Sequence, residues 1–147
     1  MTGLKFRNLD ASPEDPVSSW PFEAIVTAIE RGTLPDWRRL AHAVDADPWG
    51  PVAQQIAEAA GLSQSYGSGR LFEMVVAEGR RSAAEIERAE VGSEIRAMVE
   101  RSGLTQAAFA ERIGTSASRL STYLSEKVTP SAALMVRMRR VGGQGSP

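Results

Sequence analysis

The stretch from Leu104 to Lys127 constrains the fold of this 147-residue chain more than any other. Thr105 stands where a helix N-cap is needed, because its hydroxyl can accept a hydrogen bond from an otherwise unpaired backbone N–H. Gly114 stands where the chain must adopt left-handed dihedral angles to leave that helix. The stretch therefore predicts two short helices joined by a tight turn. The apolar residues of the first helix recur at three-residue steps, which places them on one face: Leu104, Ala107, Ala110 and Ile113.

The second predicted helix follows a cap at Thr115 or Ser116, and its outward face is short, polar and nearly neutral. We expect Leu120, Tyr123 and Leu124 to point inward. Small side chains let a helix approach base edges closely, and hydroxyl groups can donate hydrogen bonds to phosphates. The face therefore suits a DNA groove, whereas the structural alternative is the solvated face of an ordinary helical bundle. The outward residues are Ala117, Ser118, Arg119, Ser121, Thr122 and Ser125.

Residues 92–141 resemble the helix-turn-helix core of the lambda-repressor and Cro-type (XRE) family. The matching features are Leu-Thr-Gln at 104–106, the turn glycine at 114, the hydroxyl residues at 115–116, the plug at Leu120 and Pro-Ser at 130–131. The resemblance implies a five-helix-type domain that binds double-stranded DNA sequence-specifically. One departure is Glu126, which stands where the family usually has glycine, so we expect a strained backbone there.

The resemblance also implies base-edge contacts near the start of the second predicted helix, with phosphate contacts around them. Ala117 can offer only a methyl group, which is useful against thymine. Gln106 corresponds to a phosphate contact of the family, and helix N-termini favour anions in any case. The candidate DNA-binding residues are Gln106, Thr115, Ser116, Ala117, Ser118, Arg119, Ser121, Thr122, Ser125 and Lys127.

The formal net charge of −1 is unevenly distributed along the chain. Residues 92–147 hold eight basic and four acidic residues, whereas residues 1–91 hold nine basic and fourteen acidic residues. A basic end joined to an acidic end is expected of a DNA-contacting module attached to a domain that does not contact DNA. The basic residues are nearly all arginine and alanine is frequent, which is typical of a GC-rich bacterial genome.

Cysteine is absent, which excludes disulfides and thiolate metal sites. No apolar run approaches the roughly 20 residues of a transmembrane helix, and the N-terminus does not resemble a signal peptide. We therefore expect a cytoplasmic, nucleoid-associated protein.

Outside this stretch, the pattern predicts a flexible N-terminal arm over 1–19, a small α-helical domain over 20–69, a linking helix over 70–91 and a flexible tail over 142–147. Residues 63–69 read as a turn because they hold two glycines and three serines. Gly79 and Gly92 are candidate interruptions of the helical pattern that follows. The expected inward residues of that pattern are Leu71, Met74, Val75, Ile86, Ala89, Ile95, Met98 and Val99.

The sequence offers little for catalysis. His42 is the only histidine, and its place on a helix favours a capped or exposed side chain over a base or ligand. Residues 65–70 lack the lysine and the preceding strand of a phosphate-binding loop. The three tryptophans could line a small-ligand pocket, although core and interface packing explains them better. We therefore expect no enzyme, no cofactor and no metal site.

The sequence thus predicts an all-α protein with an N-terminal helical unit joined by a long helix to a lambda-repressor-like helix-turn-helix domain. The expected function is transcriptional regulation, acting as a repressor, with double-stranded DNA as the partner and a homodimer as the binding form. One alternative is an antitoxin that represses its own operon and binds a toxin through the N-terminal domain. Another is a protein–protein adapter whose helix-turn-helix does not bind DNA.

Overall fold

The computed structural model describes residues 3–143, and all regular secondary structure in this range is helical. The chain divides between Ala83 and Ala84 into two compact units, each with its own hydrophobic core. This boundary falls within the predicted linking helix. The all-α prediction is confirmed. After a short 3₁₀ helix at Val17–Ser19, the helices are α1 (Phe22–Arg31), α2 (Leu34–Ala46), α3 (Pro51–Leu62), α4 (Tyr66–Ser102), α5 (Gln106–Ile113), α6 (Ala117–Leu124) and α7 (Ala132–Gly142).

The N-terminal unit is built around the apolar stripe of α1, which packs on α3. The boundary between α1 and α2 is sharp because Thr33 and Asp36 form a capping box at the start of α2. Removal of apolar surface from water is the main source of stability in such a unit. The fully buried aliphatic residues of α1 to α3 are Ala24, Ile25, Ala28, Ile29, Leu40, Val44, Ala53, Ile56 and Ala59.

The three tryptophans have different environments. Trp20 is buried and its Nε1 donates to the Asp15 carbonyl at 3.0 Å. Trp37 packs edge-on against Phe72 at 5.9 Å, and its Nε1 donates to a carbonyl of α1 at 2.9 Å. Trp49 is 59% exposed beneath the Arg80 guanidinium. Core packing therefore explains two of the three tryptophans.

Residues 3–19 are the described part of the segment for which the sequence predicts a flexible arm, and their apolar side chains contact the N-terminal unit. Leu4, Phe6 and Leu9 pack against the core of the N-terminal unit. Phe6 also meets the ring of Trp20 edge-on at 5.0 Å. The Arg39 guanidinium donates to two carbonyls that precede the 3₁₀ helix. The segment is too short for its apolar residues to form a recognisable periodic pattern in the sequence. Their packing against the core nevertheless holds the segment in place.

Helix α4 is continuous from Tyr66 to Ser102, so the expected interruption at Gly79 or Gly92 is wrong. A Cβ at Gly79 would lie 2.9 Å from Val44 Cγ1, and a Cβ at Gly92 would lie 3.3 Å from the Tyr123 carbonyl oxygen. These two glycines let neighbouring helices approach closely. The predicted turn over 63–69 is correspondingly shorter, because α4 begins at Tyr66.

The inward face of the first half of α4 differs from the prediction. Leu71 and Met74 are exposed at 42% and 60%, and Phe72 and Val76 are buried in their place. The packing of Phe72 against the α2 indole fixes the rotation of the helix about its axis. Ile86, also predicted to face inward, is 60% exposed.

The C-terminal unit contains the end of α4 followed by α5, α6 and α7, which is four helical segments within residues 84–143 instead of the expected five. Its core joins Ile95, Met98 and Val99 of α4 to residues of the three short helices, as predicted. The buried residues of those helices are Phe109, Ala110, Ile113, Leu120, Tyr123, Leu134, Met135 and Met138.

Of the flexible tail predicted over 142–147, the structure describes Gly142 and Gly143. Gly142 is the last residue of α7 and is buried, and a Cβ there would lie 2.8 Å from Met98 Cβ. Residues 144–147 of the predicted tail lie outside the described residues.

Candidate nucleic-acid interface

Helix α5 begins where the sequence places its cap. The Thr105 hydroxyl accepts a hydrogen bond from the Ala108 N–H at 3.1 Å. This bond satisfies one of the backbone donors that the first turn of a helix leaves unpaired. Gln106 is the first residue of the helix and its side chain is exposed.

The turn after α5 is fixed by a left-handed glycine. Gly114 has φ 79° and ψ 33°, and its N–H donates to the Glu111 carbonyl at 3.1 Å. The next N–H, of Thr115, donates to the Ala110 carbonyl at 2.9 Å. These two bonds form the Schellman arrangement, which satisfies the last carbonyls of a helix and sets its exit direction.

Helix α6 starts directly after this turn. The Ser116 hydroxyl accepts from the Arg119 N–H at 3.1 Å, so Ser116, and not Thr115, is the cap. Leu120 is fully buried and Tyr123 nearly so, which anchors the inner face of α6 in the core. The two helices, each capped by a hydroxyl group, are thus joined by a short turn. This arrangement leaves the outer face of α6 exposed to solvent.

A family model described as "Helix-turn-helix domain" matches residues 90–144. The C-terminal unit is a helix-turn-helix domain. Domains of this kind are typical of DNA-binding regulators that are not enzymes. Neither the comparison with curated proteins nor that with solved structures gives a match.

Most of the ten candidate residues of the helix-turn-helix domain lie at its surface. Thr115 and Thr122 are half-buried, because each lies next to the core side of its helix or turn. The α6 residues among the candidates share one face, opposite Leu120 and Tyr123. The exposed candidates are Gln106, Ser116, Ala117, Ser118, Arg119, Ser121, Ser125 and Lys127.

Several hydroxyl groups of this face are bonded within the domain. Thr122 Oγ1 donates to the Arg119 carbonyl at 2.6 Å, and Ser125 Oγ donates to the Thr122 carbonyl at 3.3 Å. Ser116 Oγ and Ser118 Oγ lie 3.2 Å apart. The Arg119 guanidinium forms no hydrogen bond or ion pair with residues 3–143, so its charge faces solvent.

The end of α6 repeats the arrangement seen after α5, with a glutamate in the glycine position. Glu126 has φ 65°, its N–H donates to the Tyr123 carbonyl at 3.2 Å, and the Lys127 N–H donates to the Thr122 carbonyl at 3.1 Å. The strained backbone predicted at Glu126 is confirmed, because a residue with a Cβ adopts a positive φ there. Lys127 follows this turn directly, at the C-terminal end of the exposed face of α6.

Two arginines hold the ends of α5 and α6 from a distance along the chain. Arg137 of α7 donates from Nη1 to the Ile113 carbonyl at 3.2 Å, and Arg96 of α4 donates from Nη2 to the Leu124 carbonyl at 3.1 Å. Both positive charges lie at helix C-termini, where they complement the helix dipole. Sequence reasoning missed these roles, because their partners are 24 and 28 residues away.

A cavity of about 360 Å³ lies between the start of α6 and the start of α7. Ser131 caps α7 by accepting from the Leu134 N–H at 3.1 Å, and Thr129 lines the same cavity as Arg119. Sequence reasoning did not include Thr129 in the interface. Its signal was the Thr-Pro-Ser sequence at 129–131, which marks a helix start beside the candidate face.

The carboxyl groups whose pKa is shifted lie outside the exposed face of α6. The Arg81 guanidinium hydrogen-bonds Glu78 and lowers the pKa of that carboxyl, and the Ser12 hydroxyl lowers the pKa of Glu14.

No helix within residues 3–143 is both long and apolar enough to cross a membrane. Within the same range no cluster of three or more acidic or histidine side chains could hold a metal ion.

Proposed function

We propose that the protein is a transcriptional repressor that binds double-stranded DNA sequence-specifically, in the manner of the lambda-repressor type, with α6 in the major groove. The observation that supports this most is the exposed face of α6, which is slim, hydroxyl-bearing and fixed at both ends by its caps. Small side chains at 117, 118 and 121 allow close approach to base edges, and Arg119 can reach either a base or a phosphate.

Phosphate contacts are assigned to residues that border this face. Gln106 lies at the N-terminus of α5 and Ser116 at that of α6, where backbone N–H groups and the helix dipole favour an anion. Ser125 and Lys127 lie at the other end of α6. Such contacts position the helix on the duplex, whereas Ala117, Ser118, Arg119, Ser121 and Thr122 face the bases.

We propose that the active form is a homodimer on an operator with two half-sites. An eight-residue recognition helix reads only a few base pairs, and pairing two copies multiplies the specificity. The N-terminal unit would provide the dimerisation or effector element. Sedimentation with and without DNA tests this, since a monomer in both conditions at micromolar protein would contradict it.

Selection of bound fragments from random duplex DNA tests the main proposal. A sequence-specific dimer enriches a palindrome whose half-site centres are separated by about 10 base pairs or a multiple of that. The variant Arg119→Ala should enrich the same motif more weakly than the wild type does. Failure of the full chain to enrich any motif would contradict sequence-specific binding.

Replacing Arg119 by alanine should weaken binding to the selected site by about 1–3 kcal/mol if the guanidinium contacts a base. The matched control is Arg112→Ala, which removes an exposed arginine of α5 outside the candidate set. We expect this control to change the affinity by less than about 0.5 kcal/mol. Fluorescence anisotropy with labelled duplex measures both. Equal losses in the two variants would remove Arg119 from the interface.

Salt dependence separates DNA binding from the adapter alternative. Release of counterions makes the logarithm of the affinity fall linearly with the logarithm of salt concentration, over a range of about 50–200 mM. We expect such a fall for the full chain. An affinity independent of salt would argue against phosphate contacts.

A further inference from the structure

A polar cavity of about 510 Å³ in the N-terminal unit brings together three basic side chains. Lys5 and Arg7 come from the segment before the 3₁₀ helix, and Arg31 comes from the last turn of α1. The rest of the wall is formed by Gly3, Leu4, Glu30 and Thr27, which lies one turn before Arg31 in α1. All the residues that line this cavity belong to the N-terminal unit.

The segment that carries Lys5 and Arg7 is held in a fixed orientation. Its side chains alternate, with Leu4 and Phe6 partly buried and Lys5 and Arg7 exposed. This alternation places Lys5 and Arg7 on the side of the segment that faces away from the core. The contact between Phe6 and the Trp20 ring at 5.0 Å anchors the inner side. The two cations are therefore presented together on the outer side.

The positive charge of this cavity is uncompensated. Lys5, Arg7 and Arg31 form no hydrogen bond or ion pair with the described residues. The Glu30 carboxylate is already engaged, because it accepts from the Gln64 N–H at 2.7 Å and lies 3.5 Å from the Ser63 hydroxyl. With this carboxylate counted, the wall still has a formal charge of +2 within a unit that is acidic overall.

We propose that this cavity binds a small phosphorylated molecule. Guanidinium groups match the oxygens of a phosphate with two parallel hydrogen bonds, and the lysine adds a mobile point charge. A diphosphate or a phosphorylated metabolite carries enough charge to engage all three cations. The volume is in the usual range of about 300–1,000 Å³ for small-molecule sites. The inference is independent of DNA binding.

Pyrophosphate is the probe for this site. Calorimetric titration of the full chain at constant ionic strength should show saturable binding at one site, with a dissociation constant of about 1 mM or lower. Arg31→Gln should weaken the binding about tenfold, and the triple variant Lys5→Gln/Arg7→Gln/Arg31→Gln should abolish it in the measurable range. The matched control Arg38→Gln removes an exposed arginine of α2 outside the cavity and should bind as the wild type does.

Three outcomes would overturn the proposal. The first is no saturable binding of pyrophosphate by the wild type. The second is an equal loss in the Arg38→Gln control, because that would show attraction by overall charge alone. The third is a triple variant that also loses DNA affinity and has a shallower salt dependence, because the cations would then contact the DNA backbone. Unchanged DNA affinity in the triple variant, together with lost pyrophosphate binding, supports the proposal. A result for pyrophosphate leaves the test of Arg119 unaffected.

Discussion

Gly114 and Glu126 occupy equivalent positions at the ends of α5 and α6, so the helix-turn-helix domain contains its own comparison. Both residues have positive φ, and in both turns the same pair of backbone hydrogen bonds closes the helix. Glycine adopts this region freely, whereas a residue with a Cβ pays a steric cost of about 1 kcal/mol. The packing around Glu126 has to offset that cost, and its side chain lies over Gly92.

Glu126→Gly should therefore stabilise the helix-turn-helix domain by about 1 kcal/mol, because the strain is removed. Urea unfolding followed by far-ultraviolet circular dichroism measures it. The control is Ser125→Gly, at φ −85°, which should destabilise by about 0.5–1 kcal/mol because glycine gains nothing there. An unchanged or lower midpoint for Glu126→Gly would show that the side chain contributes more than the strain costs.

Local features of this domain could be predicted from the sequence, because they depend on a few neighbouring residues. The cap at Thr105, the left-handed Gly114 and the unusual Glu126 are all of this kind. The arginines at the ends of α5 and α6 could not, because those contacts exist only once distant helices are packed.

At the level of helices, α4 shows why glycine is an ambiguous signal. Gly79 reads as a helix breaker by propensity, yet it lies in the middle of a continuous helix against Val44. The rotation of α4 about its axis was also mispredicted, because Leu71 and Phe72 are adjacent and the sequence does not show which one faces inward. The packing partner of Phe72 decides this, and that partner comes from α2.

Gly79→Ala should destabilise the N-terminal unit by about 1–2 kcal/mol. The new methyl group would lie 2.9 Å from Val44 Cγ1, and Val44 is fully buried and stiff, so overpacking outweighs the gain in helix propensity. Tryptophan fluorescence during urea unfolding reports this unit. In the control Gly61→Ala the nearest atom is 3.9 Å away, and we expect stabilisation of up to about 1 kcal/mol. Stabilisation in both variants would mean that the contact at Gly79 relaxes.

On the scale of the whole molecule, the two cores share no buried residue, although α4 contributes to both. The division into two units could be expected because residues 1–91 are acidic overall and residues 92–147 basic overall. It could also be expected because the family resemblance covers only residues 92–141. Its position inside α4 could not, because nothing in the local sequence marks Ala83 as a boundary. All three tryptophans lie in the N-terminal unit, so tryptophan fluorescence reports on that unit, whereas the proposed DNA binding would report on the other.

Met98→Ala should destabilise the helix-turn-helix domain by about 2–5 kcal/mol, since Met98 is 1% exposed in its core. We expect lost DNA binding with little change in the transition seen by tryptophan fluorescence. The reciprocal variant Leu40→Ala should move that fluorescence transition instead. If each variant shifted both readouts equally, the chain would unfold as one cooperative unit.

The hydrogen bond made by the Thr122 hydroxyl has a consequence for the base that this residue would face. Thr122 Oγ1 already donates its proton to the Arg119 carbonyl, so the hydroxyl is left with lone pairs only. A hydroxyl oxygen whose proton is already in use can only accept a further hydrogen bond. The donors on the floor of the major groove are the exocyclic amino groups of adenine and cytosine. The preferred half-site should therefore present an N6 or N4 amino group opposite Thr122, and guanine or thymine there would bring two acceptors together.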